Sequence, residues 1–461
     1  MRKKILSLLF FLASCSLYAQ NWVELGYIGS CKALALDASG SLYAGGFRNA
    51  NGYYYVAKWN GTRWRELGLG TSTLNANAAI NTLAFDSDDN LYVAGSFTNA
   101  PYATGKQYVA KWNGTTWSEL SGYAMNALAG TINNIDVVAT DAAGNVYAAA
   151  GLSPVNSNFG VFKWNGIEWT HIGMNVPYVN NFQGTISAMV IDKAGNVYVS
   201  GWFTKAHETY YVAKWNGTSW SEVGTGSNAL NANGAIYALA LDADDNLLAG
   251  GFFKNSNDQY YIAKWNGSTW SQVGIGANAL NVNTGIITIT TDLSGNIYAG
   301  GNFHDPTTLV GYIVKWDGTT WSHMGPDYVP TRPLPQSQVN SIITDKVTGD
   351  IYAAGQGFLV SEQAYGYVVK WNSGAVATSV TAANVIAVAV YPNPSAGIIS
   401  LPEFSENIQV TVLDALGKTL STKEIIQGTA SFDYSYLSAG MYTLVFTGTD
   451  FSYAPVKFIK E

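Results

Sequence analysis

Apolar and polar positions alternate over short stretches of this chain, and the alternation recurs about every 51 residues. Each repeat holds four strand-like segments: one apolar and ending in Asp, one running through Tyr to Gly, one like Tyr-Val-Ala-Lys-Trp and one like Trp-Ser-Glu-Leu. Period-2 alternation bounded by turn residues is typical of half-buried strands. The pattern therefore predicts an all-β chain made of four-stranded units.

The motif Lys-Trp-Asn-Gly-x-x-Trp marks the third and fourth segments. Full copies begin at Lys58, Lys111, Lys163, Lys214, Lys264 and Lys315, the last with Asp317 in place of Asn. A seventh copy stops at Lys370-Trp371-Asn372-Ser373-Gly374, and its missing second half stands near the start of the chain as Asn21-Trp22-Val23-Glu24-Leu25-Gly26. A repeat completed by the opposite end of the chain predicts a closed seven-bladed β-propeller, with the Trp22 strand protecting the edge of the last blade.

The Asn-Gly step predicts how the third and fourth strands are joined. A two-residue type I′ loop needs positive φ at both central residues, which Asn-Gly supplies. With Asn60-Gly61 as the loop, Trp59 would pair with Thr62 and lie diagonally from Trp64 on one face of the sheet. We expect these Trp side chains in the core, where each stabilises by about 2–3 kcal/mol.

Composition and charge narrow the class of protein. Only 12% of residues are charged, while Tyr (29), Trp (15) and Gly (48) are abundant, which excludes disorder.

Residues 1–19 resemble a signal peptide, with Leu12-Ala13-Ser14-Cys15 as an alternative lipoprotein cleavage site. No other apolar stretch is long enough to span a bilayer. Removing residues 1–19 removes three cations and no acids, taking the formal net charge from -7 to -10, which argues against a nucleic-acid partner. We expect a monomer.

The repeat ends near residue 374, and the rest of the chain changes character. Residues 375–387 are small and polar to aliphatic and predict a linker between a propeller at 20–374 and a last domain at 388–461. That domain shows several short strands, enough for a small β-sandwich of the Ig-like kind.

Both parts resemble known families. The repeat is similar to bacterial secreted propeller repeats of the type Asp-x-x-Gly-Asn-Leu-Tyr-Val-Ala-Gly followed by Trp-Asn-Gly-x-x-Trp, which indicates architecture and little about activity. The last domain resembles the type IX secretion sorting domain of Bacteroidetes. Four segments carry that resemblance in order: Val390-Tyr391-Pro392-Asn393-Pro394 with Gly397, Val410 to Gly417, Leu437 to Tyr442, and Lys457 to Lys460.

The second resemblance implies localisation. It implies a sorting signal, recognised by the type IX machinery through residues 388–461, that leaves the protein secreted or attached to the outer-membrane surface. The signal residues it implies are Pro392, Asn393, Pro394, Gly397, Gly440, Tyr442, Lys457 and Lys460.

Loop lengths predict where a ligand would bind. The links between the first and second and between the third and fourth strands are short, whereas those between the second and third strands and between blades are longer and vary. Variable loops on a rigid scaffold usually carry recognition, so we expect a site on that rim, here called the loop rim. Its candidate residues offer flat rings and amides that suit sugars: Tyr53, Tyr54, Tyr210, Tyr260, Asn77, Asn233 and Asn283. The alternative is that they only satisfy loop backbone and fill strand ends.

Signals of catalysis are thin. By repeat alignment His171 and His323 fall where other blades carry Glu or Gln, which predicts solvated positions, and His207 and His304 lack partners for a metal. We therefore expect no catalytic residue, metal or cofactor. The sequence favours a secreted or surface propeller that binds a glycan or surface polymer. The alternatives are a structural or adhesion module without a small-molecule site and, less favoured, a polysaccharide-active enzyme.

Overall fold

A computed structural model describes most of the chain outside residues 1–20. The described residues are 21–27, 31–68, 72–99, 107–120, 132–152, 158–173, 182–205, 209–304, 313–324, 338–356, 366–372, 388, 390–404, 407–414, 419–425, 428–448 and 456–461. The predicted signal peptide and the predicted linker therefore lie outside the described residues. No helix of the described part is long and apolar enough to cross a membrane.

The described residues of the propeller part form strands and short 3-10 helices, among them Gly226–Asn228 and Gly276–Asn278. Its strands are β1 (Asn21–Tyr27), β2 (Ala33–Leu36), β3 (Leu42–Arg48), β4 (Tyr54–Trp59), β5 (Trp64–Glu66), β6 (Ile80–Phe85), β7 (Leu91–Gly95), β8 (Val109–Trp112), β9 (Trp117–Leu120), β10 (Ile132–Thr140), β11 (Val146–Leu152), β12 (Asn158–Trp164), β13 (Trp169–His171), β14 (Phe182–Gln183), β15 (Ile186–Ile191), β16 (Val197–Gly201), β17 (Thr204–Lys205), β18 (Thr209–Tyr210), β19 (Ala213–Trp215), β20 (Trp220–Glu222), β21 (Ile236–Leu241), β22 (Leu247–Gly251), β23 (Ala263–Trp265), β24 (Trp270–Gln272), β25 (Ile286–Thr291), β26 (Ile297–Gly301), β27 (Ile313–Trp316), β28 (Trp321–Met324), β29 (Gln338–Thr344), β30 (Ile351–Gln356) and β31 (Gly366–Asn372).

These strands form seven antiparallel blades, as the repeat predicts. Six blades are consecutive meanders, β2–β5, β6–β9, β10–β13, β15-β16-β19-β20, β21–β24 and β25–β28, and the seventh has the order β1-β31-β30-β29. The first strand of each blade packs against the first strand of the next, and β29 of blade 7 contacts β2 of blade 1. The ring is therefore closed, with the first strands around its axis.

The N-terminal strand completes the last blade, as predicted. β1 runs antiparallel to β31 with Trp22 directly opposite Trp371. The two rings meet edge to face with centroids 5.0 Å apart, and Trp22 is only 7% exposed. Because β1 covers the outer edge of β31, that backbone is paired within the protein.

The second Trp of each motif also ties its blade to the preceding one. The Trp22 indole N–H donates to the Met324 carbonyl of blade 6 at 2.7 Å. The equivalent indoles make equivalent bonds to the preceding blade: Trp117 to Leu67, Trp169 to Leu120, Trp220 to Ile172, Trp270 to Val223 and Trp321 to Val273. The prediction that the motif Trp residues serve packing is confirmed, and this bond shows why the second Trp is repeated.

The predicted two-residue Asn-Gly loop is wrong. In blade 2 Trp112 lies directly opposite Trp117, so four residues form the turn, and the two rings meet across the strands rather than diagonally, with centroids 5.3 Å apart and planes tilted by 48°. The Asn113 side chain explains the longer turn, because its Oδ1 accepts the N–H groups of Thr115 and Thr116 at 3.0 and 2.8 Å. Only Gly114 then needs positive φ (94°), so the turn is not type I′.

The repeated Asp and Lys residues stabilise turns. Asp86 at the end of β6 accepts the N–H groups of Asp88 and Asn90 on one carboxylate oxygen and the Tyr92 hydroxyl on the other. Lys111 lies over the Tyr92 ring, its Nζ 5.6 Å from the centroid. Because these carboxylate oxygens already serve the turn, the geometry is that of a cap rather than of a calcium loop.

The C-terminal domain is a small sandwich, as predicted. Its strands are β32 (Ile398–Phe404), β33 (Ile408–Leu413), β34 (Thr419–Ile425), β35 (Gly428–Asp433), β36 (Gly440–Gly448) and β37 (Val456–Lys460). One sheet pairs β32 with β35, and the other has the order β34-β33-β36-β37. Residues of both sheets, among them Ile399, Val410, Tyr434 and Phe458, share one buried cluster.

The residues of the implied sorting signal hold this domain together. The Asn393 side chain makes two hydrogen bonds to the backbone of β37, as a neighbouring strand would. Its amide donates to the Lys457 carbonyl and accepts the Ile459 N–H, both at 2.9 Å. Gly397 has φ +133°, and a Cβ there would stand 2.6 Å from the Ser435 Cα. Tyr442 is buried and donates its hydroxyl to the Ser438 carbonyl at 2.8 Å. Pro392, Pro394, Gly440 and Lys457 are exposed.

Candidate functional site

The loop rim is shaped by a bulge near the start of each first strand. In blade 2 the pairing shifts between Ile80 and Thr82, so Asn81 is left as the bulged residue. Corresponding shifts leave Asp136, Ser187, Tyr237, Ile287 and Asn340 in blades 3 to 7, and Lys32 precedes β2 at the matching place in blade 1. Bulges re-aim side chains and are frequent next to binding sites. Together with the residues that follow the second strands, these seven positions lie at the loop-rim end of the first strands around the ring axis, here called the mouth.

The three predicted Asn residues join neighbouring loops. Asn77 donates to the Thr98 hydroxyl and accepts the Thr98 N–H, both at 2.9 Å. Asn283 makes the same two-way contact with the backbone of His304, and Asn233 accepts the Lys254 N–H at 2.8 Å. Their amides therefore fix the inter-blade loops, and their role in ligand binding stays a prediction.

The predicted Tyr residues of blade 1 have different surroundings. Tyr53 is 42% exposed. Tyr54 is half-buried, and its backbone pairs with Ala76. The Arg48 guanidinium lies over the Tyr54 ring, 4.3 Å from its centroid, and donates to the Tyr54 hydroxyl. One face of the Tyr54 ring is therefore occupied by a cation.

Blades 4 and 5 present a continuous set of aromatic rings at the mouth, here called the aromatic ledge: Trp202, Tyr237, Phe252 and Tyr260. Consecutive centroids are 5.8, 5.2 and 6.4 Å apart, each pair close to edge-on. The Trp202 indole N–H donates to the Tyr237 hydroxyl. Trp202 is 49% and Phe252 39% exposed, so both side chains are partly open to solvent.

Two predicted residues adjoin the ledge. Tyr260 is its last ring and carries the Lys254 ammonium over its face, 4.9 Å from the centroid. Burial raises the pKa of the Tyr237 phenol, and the nearby Tyr210 raises it further. The structure thus groups Tyr210 and Tyr260 in one place and leaves Tyr53 and Tyr54 on another blade.

Trp202, Tyr237 and Phe252 were missed from the sequence, although a signal was there. Trp202 and Phe252 follow the Gly that ends the second strand, where other blades carry Gly46, Ser96, Gly151, Asn302 and Gln356. The repeat does not require a large apolar residue at this position, because small and polar residues fill it in the other blades. Trp202 and Phe252 therefore indicate an interaction site. Gly285 completes the local shape, because a Cβ there would stand 2.7 Å from the Phe252 ring.

A polar network follows the mouth through blades 1 to 3. Lys32 donates to the Asn81 amide oxygen at 3.1 Å, Asn81 donates to Asn134 at 3.0 Å, and Asn134 donates to the Asp136 carboxylate. Burial raises the pKa of Asp136 to about 6, against the lowering effect of the Lys32 charge. The second carboxylate oxygen of Asp136 is buried without a hydrogen-bond partner among the described residues.

Asp136→Asn is expected to stabilise the protein above pH 6. The unfolded carboxyl ionises near its ordinary pKa of 3.8, so wild-type stability falls as the pH rises from there through the folded value of about 6. The variant does not have this loss, and its advantage should grow by up to about 2–3 kcal/mol between pH 4 and pH 8. Denaturation midpoints across this range measure it, with Asp244→Asn, an exposed carboxylate of a short turn, as the control. Parallel pH profiles for wild type and Asp136→Asn would contradict it.

The three described His residues are His171 of blade 3 and His304 and His323 of blade 6. His171 was expected to be solvated; it is instead half-buried against Phe162, centroids 5.0 Å apart, and burial lowers its pKa. His323 is exposed, as expected, and His207 lies outside the described residues. Among the residues that the structure describes, no three His, Cys, Asp or Glu side chains are grouped so as to hold a metal ion.

Comparisons with known proteins bear on the two parts differently. Residues 389–461 match the family described as Secretion system C-terminal sorting domain. No curated protein matches the chain. A similar solved structure is PorZ, an essential surface component of the type IX secretion system of Porphyromonas gingivalis, with a TM-score of 0.49 and 17% identity over 92% of this chain. This chain spans 58% of the length of PorZ.

Two further solved structures are more distant. A chain of the mitotic checkpoint complex has a TM-score of 0.49 and 12% identity, over 81% of this chain and 99% of that one. A gluconolactonase from Xanthomonas campestris has a TM-score of 0.38 and 8% identity, over 77% of this chain and 100% of that one. The family match and the fold together identify the protein as a β-propeller carrying a type IX secretion sorting domain, secreted or displayed at the cell surface.

Proposed function

We propose that this protein binds a glycan or surface polymer through the aromatic ledge. The propeller, over residues 20–374, is the binding part, and the type IX machinery recognises residues 388–461. The half-exposed rings of Trp202 and Phe252 carry the proposal. Flat rings stack on the apolar faces of sugars, while the Tyr237 hydroxyl offers a polar contact beside them.

Exposure separates the ledge from the motif Trp residues of the propeller. The motif Trp residues are at least partly buried, and the second Trp of a motif uses its indole N–H between blades, so they are needed for the fold. Exposed apolar rings are not needed for folding and cost solubility, and contiguous ones mark interaction sites. A polymer fits better than a single small molecule, because the ledge extends across two blades and Lys254 joins it to a shallow cleft of about 390 Å³ on blade 5.

The test is binding of the mature full-length protein to a panel of immobilised bacterial and plant polysaccharides. Trp202→Ala and Phe252→Ala are each expected to weaken binding to the recognised polymer at least tenfold, about 1.4 kcal/mol, and Tyr210→Ala to weaken it less. Ile167→Ala is the matched control, because Ile167 is 82% exposed at the tip of the β12–β13 turn and removes apolar surface elsewhere.

Two outcomes would favour other functions. Binding to no polymer, or binding that Trp202→Ala leaves intact, supports a structural or adhesion module, a function that the engaged amides of Asn77 and Asn283 favour. Shortening of a bound polymer during the assay supports a polysaccharide-active enzyme instead.

A further inference from the structure

Blade 1 carries two cations on the loop rim that form no salt bridge among the described residues, although the Lys32 charge also acts on the Asp136 carboxylate of blade 3. Lys32 is exposed beside the mouth, where its ammonium donates to the neutral amide of Asn81. Arg48 is exposed at the end of β3, held over the Tyr54 ring. Within the described part of the chain, no carboxylate oxygen lies within 4.0 Å of either cation.

Two other cations of the same rim, among the residues that the structure describes, are neutralised. Lys205 in blade 4 pairs with Glu222, and Lys254 in blade 5 pairs with Asp258 at 3.0 Å. The polar neighbours of blade 1 on this rim are amides instead: Asn49 bonds Asn75, and Asn81 bonds Asn134. Lys32 and Arg48, here called the cationic pair, are therefore two cations of blade 1 without a salt bridge among the described residues, on a protein whose net charge is negative.

The position of the cationic pair relates it to the aromatic ledge. Lys32 directly precedes β2 and Arg48 ends β3, so the two residues lie at the same end of this antiparallel pair, the end that faces the mouth. In a closed ring of seven blades, blade 1 stands opposite the junction of blades 4 and 5, which carries the ledge. A ligand crossing the mouth would meet aromatic rings on one side and two cations on the other.

We propose that the ligand is an acidic polysaccharide, whose rings stack on the aromatic ledge while its carboxylates contact Lys32 and Arg48. This inference rests on the proposed function and names its ligand class. The Arg48 guanidinium presents paired N–H groups that match a carboxylate, and the Lys32 ammonium supplies a point charge. The overall negative charge does not prevent this, because physiological salt screens charges beyond about 8 Å.

The experiment compares acidic polymers with neutral versions of themselves. The probes are polygalacturonate, alginate and hyaluronan, each beside its carboxyl-reduced form, on the mature full-length protein. Wild type is expected to bind at least one acidic polymer tenfold more tightly than its reduced form in low salt, and the preference should shrink in 0.5 M NaCl. Lys32→Gln with Arg48→Gln should remove the preference and leave binding of the reduced polymer unchanged.

A matched variant and the ledge variants keep the outcomes distinct. Lys193→Gln removes one charge from an exposed lysine on a short first-to-second-strand turn, away from the loop rim, and should leave the preference intact. The inference is overturned if wild type prefers no acidic polymer in the panel, or if the double variant keeps the preference. If Trp202→Ala loses binding to both the acidic polymer and its carboxyl-reduced form, the proposed function stands even when the inference about acidic ligands fails. If Trp202→Ala changes binding to no polymer, the proposed function itself is wrong.

Discussion

Replacing Trp22 with alanine is expected to lower the free energy of unfolding by about 3–5 kcal/mol, the range for a large aromatic side chain lost from a core. Trp22 is 7% exposed, packs on Trp371 and donates to the Met324 carbonyl at 2.7 Å. The substitution leaves a cavity in blade 7 and removes the indole bond between blades 6 and 7. Removing residues 20–26 should cost more, because the whole edge of β31 then faces water.

Chemical denaturation of the mature protein, followed by Trp fluorescence and circular dichroism, measures this. Val23→Ala is the matched control, since Val23 is the next residue of β1 and is 44% exposed. It should lower stability by less than about 1 kcal/mol, as a partly exposed side chain does. If Trp22→Ala and Val23→Ala have the same small effect, β1 does not close the ring.

Gly397→Ala is expected to abolish display of the protein at the cell surface. The residue has φ +133°, and an added Cβ would stand 2.6 Å from the Ser435 Cα and 2.8 Å from its N, both backbone atoms. Such a conformation alone costs an L residue about 1–3 kcal/mol, and the clash adds to it. A domain this small has little stability to lose, so we expect it to unfold and the sorting signal to be lost.

The chain provides its own control for this substitution. Gly440 belongs to the same implied signal, but a Cβ there would come no closer than 3.8 Å to any atom. Gly440→Ala should therefore retain display. Antibody labelling of intact cells, compared with total protein after lysis, gives the displayed fraction. Equal display of Gly397→Ala and wild type would show that a folded C-terminal domain is not what the machinery requires.

The sequence predicted what depends on the repeat and missed what depends on departures from it. Seven blades, and Trp22 opposite Trp371, follow from the count of motifs and the split copy. The geometry of the Asn-Gly turn could not be predicted in this way. An Asn at this position is compatible both with positive φ and with a side chain that caps the turn, and the sequence does not distinguish the two.

The candidate site was predicted only in part. Tyr210 and Tyr260 were identified because they begin third strands, and the structure places them beside the ledge. Tyr237 could not be predicted, because its orientation depends on a bulge created by the pairing of β21 with β22. Asn77 and Asn283 were chosen for their amides, yet only the folded loops show those amides bonded to the neighbouring loop.

The composite seventh blade has a consequence for the order of events in synthesis. Trp22 is translated about 350 residues before its partner Trp371. The pairing of β1 with β31 therefore spans nearly the whole propeller and cannot form until β31 has been made, after the first six blades. A complete ring therefore requires that the whole propeller has been translated. Truncated copies keep an unpaired strand that proteases and chaperones recognise.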